Sequence, residues 1–67
     1  MSPHSVAISA INAAIETMLL PGAGPVEDAK AETLVVAYFS ILVINSDEFK
    51  YYCERIRRIA ERRKEAA

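Results

Sequence analysis

Two side chains in this chain have the chemistry of a nucleophile and its base, Cys53 and His4, and there is one of each. A thiol–imidazole pair needs a third group to orient the base, and no motif supplies one. Cys53 falls one turn after Phe49 on what reads as an apolar helix face, which predicts a structural, buried cysteine. One Cys and one His also fall short of a closed zinc site, and a lone Cys forms no disulfide within its own chain. The carboxylates Glu27, Asp28 and Glu32 suit the first turns of a helix, where the dipole favours negative charge, better than acid–base work. Gly22 and Gly24 lack phosphate-loop spacing. The chain is therefore expected to be no enzyme and to carry no catalytic residue, cofactor or metal.

The remaining chemistry is that of surfaces. Residues 55–64 hold six bases against the single acid Glu61. Arg55, Arg58 and Arg62 recur at i, i+3 and i+7, so one helix face carries all three and could grip phosphates. Glu54, Glu61 and Glu65 interleave with them, and the whole chain has a net charge of −1. A small nucleic-acid-binding dimer is on these grounds the alternative reading. Tyr38, Phe39, Phe49, Tyr51 and Tyr52 gather around one corner of the sequence. Aromatic rings with a polar tip beside arginines are the side chains that anchor protein interfaces. Tyr51, Tyr52, Arg55, Arg58 and Arg62 are accordingly the residues expected to meet a larger protein partner.

These side chains must be positioned by helices. Sixty-seven residues make one domain, and 52% hydrophobic with 25% charged residues is a globular rather than a disordered composition. The first helix is expected over about 3–20, with Ser2 as N-cap and Pro3 at its first position. His4, Ile8, Ile11, Ile15 and Met18 form its three-four seam. Pro21-Gly22-Ala23-Gly24-Pro25 breaks it and suits an antiparallel hairpin. The second helix is expected over about 25–44. Its apolar run from Leu34 to Ile44 is rich in β-branched residues and would also suit a strand, but no second strand exists to pair with it. Asn45 and Glu48 have the spacing of a capping box, flanked by Ile44 and Phe49 as a hydrophobic staple. A third helix over about 46–65 follows, set at an angle after a sharp corner. Phe49, Tyr52, Ile56, Ile59 and Arg63 make its seam.

The fold class is thus all-α, three helices in one domain over 1–67. The run Leu34–Ile44 is apolar nearly all round if helical, and two neighbours from the same chain cover only two flanks. Its length falls well short of the roughly 20 residues a bilayer needs, so the expected cover is a second copy of the chain, not a membrane. Leu34, Val35, Tyr38, Phe39, Ile41 and Leu42 are the expected dimer interface. With no Lys or Arg ahead of the first apolar stretch there is no signal-peptide pattern, and a cytoplasmic setting is the expectation. The function these features point to is a small helical interaction module, a homodimer that occludes or regulates a larger protein as an adaptor, antiactivator or inhibitor does.

Overall fold

A computed structural model describes residues 1–66 as three α-helices, α1 (Pro3–Met18), α2 (Pro25–Ser40) and α3 (Ser46–Ala66), with no strand among the described residues. Each begins where local chemistry dictates. The Ser5 amide donates to the Ser2 hydroxyl at 3.1 Å, and Pro3 occupies the first helical position. At α2 the Gly24 amide donates to the Glu27 carboxylate at 2.7 Å. The capping box at α3 is complete: Glu48 N–H donates to Asn45 Oδ1 at 2.8 Å, and Asn45 N–H to Glu48 Oε1 at 3.0 Å. The staple residues behave accordingly, with Ile44 buried and Phe49 packed against the same core.

The helix ends depart from expectation. α1 stops at Met18, because the Leu19 and Leu20 amides tighten onto Glu16 and Thr17 three residues back. The larger correction concerns α2, which stops at Ser40 and not at 44. Leu42 takes a left-handed conformation, φ 62°. Its amide donates to Phe39 O at 3.0 Å, and the Val43 amide reaches back to Tyr38 O at 3.0 Å. This is a Schellman termination with leucine in the position that glycine usually holds. Ser40 Oγ also donates to Val36 O at 2.8 Å. Four of the eleven residues in the apolar run therefore form a corner and not a helix. Ile44 turns inward while Ile41 and Leu42 stand in solvent, 67% and 84% exposed.

The core comprises Ala7, Ile11, Ile15 and Met18 from α1, Ala31 and Val35 from α2, Ile44 from the corner, and Tyr52 and Ile56 from α3. α2 runs antiparallel to α3: Asp28 near its start pairs with Arg63 near the end of α3, and Phe39 near its end stacks on Phe49 at 4.4 Å between ring centroids. α3 in turn runs beside α1 in the same direction. His4 meets Glu48, Asn12 meets Arg55, and Met18 O meets Arg63. Ties at both ends and the middle of α1 exclude a steep crossing, so the third helix returns along the first instead of leaving at an angle. The bundle is flat, with principal extents of 38 × 20 × 14 Å.

Candidate functional site

The face of α2 turned away from α1 and α3 is left uncovered by the chain's own core. Val26, Ala29, Thr33, Val36, Ala37 and Ser40 lie on it and are all exposed, Val26 at 62% and Val36 at 46%. Lys30 and Glu32 sit at its two edges, and Ile41 and Leu42 follow the helix in the corner, exposed as well. The expected interface residues divide across this geometry. Val35 is fully buried within its own chain and has no surface to offer. Leu34, Tyr38 and Phe39 are half-buried against the core. Ile41 and Leu42 remain available. An 11-residue run read as continuous helix points its flanks in the wrong directions once the last four residues leave the helix; the exposed flank belongs to Val26, Val36 and their small neighbours.

The second set, on α3, also divides. Tyr51 is 57% exposed, whereas Tyr52 is 7% exposed and part of the core. The Arg55 guanidinium lies 5.6 Å from the Tyr51 ring centroid and 5.8 Å from that of Tyr52, and it donates to Asn12 Oδ1 at 3.1 Å. It acts as a clamp between α3 and α1. Arg58 pairs with Glu54 at 3.1 Å. Arg62 is exposed, makes no ion pair among the described residues, and borders a shallow hollow of about 390 Å³ with Leu19, Leu20 and Ile59. Tyr51, Arg58 and Arg62 thus stay at the surface.

Two polar ties were not legible as such. Arg63, at the end of the α3 seam, donates through one nitrogen to Asp28 Oδ2 and through another to Met18 O, both at 2.9 Å. It joins the C-terminal end of α1 to the first turn of α2, and the Asp28 carboxylate raises its pKa further. The apolar seam turning basic at position 63 was the signal. Asp28 Oδ1, the other carboxylate oxygen, is buried without a partner among the described residues. His4 Nε2 lies 2.6 Å from Glu48 Oε2, and Glu48 is held below the ordinary carboxylate value, first by the Asn45 backbone amide and then by His4.

Between α2 and α3 runs an open groove of about 720 Å³, bordered by Glu32, Phe49, Cys53 and Ile56 among others; His4 is not part of it. Desolvation, and then the Glu32 charge, push the Cys53 thiol up, which keeps it protonated at neutral pH. Among the described residues no three metal-ligating side chains cluster, and no helix is long and apolar enough to cross a membrane. No family model matches the chain, and no curated protein or solved structure is similar to it at a significant level.

Proposed function

We propose that the protein is a small interaction module that self-associates through the outward face of α2 and presents α3 to a larger protein, which it regulates by covering part of its surface. The observation that carries this reading is the outward face of α2 itself. Val26 and Val36 on this face and Ile41 and Leu42 in the corner after it stand in solvent, between 46% and 84% exposed. Full burial of one such side chain is worth roughly 1.5–3 kcal/mol, against a total stability of about 5–15 kcal/mol for an ordinary domain. Contiguous apolar patches on soluble chains mark contact sites, and two-fold pairing is the commonest way to cover one.

On the other side, Tyr51, Arg58 and Arg62 supply the aromatic and arginine content of a protein contact. Arg55 is drawn to Asn12 and the tyrosine rings, and Arg58 to Glu54. Among the described residues Arg62 is then the one of the three arginines with no partner of its own, so the three do not form the row of free guanidinium groups that a phosphate backbone would take. Affinity capture from native lysate with the chain and with a Tyr51→Ala/Arg58→Glu/Arg62→Glu variant tests the α3 surface. The retained protein should be lost with the variant. Equal retention, or binding of generic duplex that collapses with added salt, would contradict the assignment.

A further inference from the structure

α2 carries two seams. The inward one, with Ala31 and Val35 at its centre, builds the core. The outward one, Val26, Ala29, Thr33, Val36 and Ser40, repeats at three, four, three and four residues, the rhythm of helices packing knobs into holes. One such seam is enough to hold a helix in a bundle; the second faces water. At one edge of this face stands Lys30, which makes no ion pair among the described residues. The last turn of α2 holds no basic residue, although that end of a helix favours a cation.

We propose that the outward seam of α2 packs against the same seam of a second copy running antiparallel, with Ala29 opposite Ser40 and Thr33 opposite Val36. The inference rests on the self-association reading above and adds the direction and the register. Reversal brings Lys30 of each copy level with Phe39 and Ser40 of the other, beside the turn that lacks a cation. A parallel pair sets each last turn beside another last turn and leaves both without one. Reversal also sets the exposed corner Ile41–Leu42 level with the first turns of the second α2, where Val26 is 62% exposed. The small residues Ala29 and Ser40 allow close approach of the two axes, toward the lower end of the usual 8–10 Å. A stable interface takes about 800 Å² from each partner, more than one face of a sixteen-residue helix offers, so the Ile41–Leu42 corner completes it.

Disulfide trapping tests the geometry. In a Cys53→Ser background, the Ala29→Cys/Ser40→Cys double variant and the two single variants are oxidised mildly at a concentration where the native chain is dimeric. The two positions are about 16 Å apart along one helix, too far for a bridge within a chain. Covalent dimer should form in the double variant and not in either single one. Cross-linking of the single variants would mean a parallel pair and overturn the proposal. No cross-linking in any variant, while the native chain sediments as a dimer, would also overturn it and leave self-association through another face. A native chain that sediments as a monomer would remove both readings together.

Discussion

Leu42 combines a large apolar side chain, 84% exposed, with the left-handed backbone that ends α2. The left-handed conformation costs roughly 1–2 kcal/mol for a residue with a Cβ, while glycine there gives back roughly 0.5–1 kcal/mol through the freedom of the unfolded chain. Leu42→Gly should therefore stabilise the single chain by about 0.5–1 kcal/mol. Thermal unfolding in a Val36→Glu background, where pairing is blocked, would show this as a rise of a few degrees. The same substitution in the native background should weaken the dimer. A glycine that stabilises the chain and leaves dimerisation unchanged would free Leu42 of any role in contact. Cys53 belongs to this scale as well. Burial and Glu32 raise its thiol pKa, so alkylation of the folded chain near neutral pH should run well below the rate of the unfolded chain. Equal rates would mean that the thiol is neither shielded nor kept protonated.

The elements are held at their ends by polar ties, and these respond to pH and to mutation. Glu48 has a folded pKa below its ordinary 4.5. Its contribution is present above that value and is lost as the pH falls through the lowered folded one. The melting temperature should fall in this acid window, and Glu48→Gln should be less stable near neutrality and flatter across it. An unchanged acid profile in the variant would leave the cap without electrostatic weight. Arg63→Ala should lower the melting temperature more than Arg58→Ala. It strands the Asp28 carboxylate and the Met18 carbonyl together, whereas Arg58 pairs only with an exposed Glu54.

The caps and starts of α1 and α3 were legible because Ser2, Pro3, Asn45 and Glu48 act through neighbours within four residues. The end of α2 was not, because its stop signal is a leucine in a glycine conformation, and Leu-Val-Ile reads as continuation. Legibility of the surface suffered in the same place. Val35 is consumed by the core and Tyr52 by its packing there, while Val26 and Val36 emerge on the open side. Partners distant in sequence, such as Arg63 with Asp28 and Arg55 with Asn12, cannot be read from periodicity, since both residues of each pair also make sense as solvated polar side chains on a helix.

At the scale of the whole molecule, a flat three-helix bundle, with nine core residues among those described, leaves one side of its middle helix open. The central claim is that a second copy closes it. Sedimentation of the native chain at micromolar concentration, beside Val36→Glu, measures this directly. Val36 points outward, so its replacement should leave the helical fold intact while placing a carboxylate at the middle of the seam. The native chain should sediment at twice 7.4 kDa and the variant as a monomer of unchanged helicity. A native chain that stays at 7.4 kDa well above that concentration would contradict it.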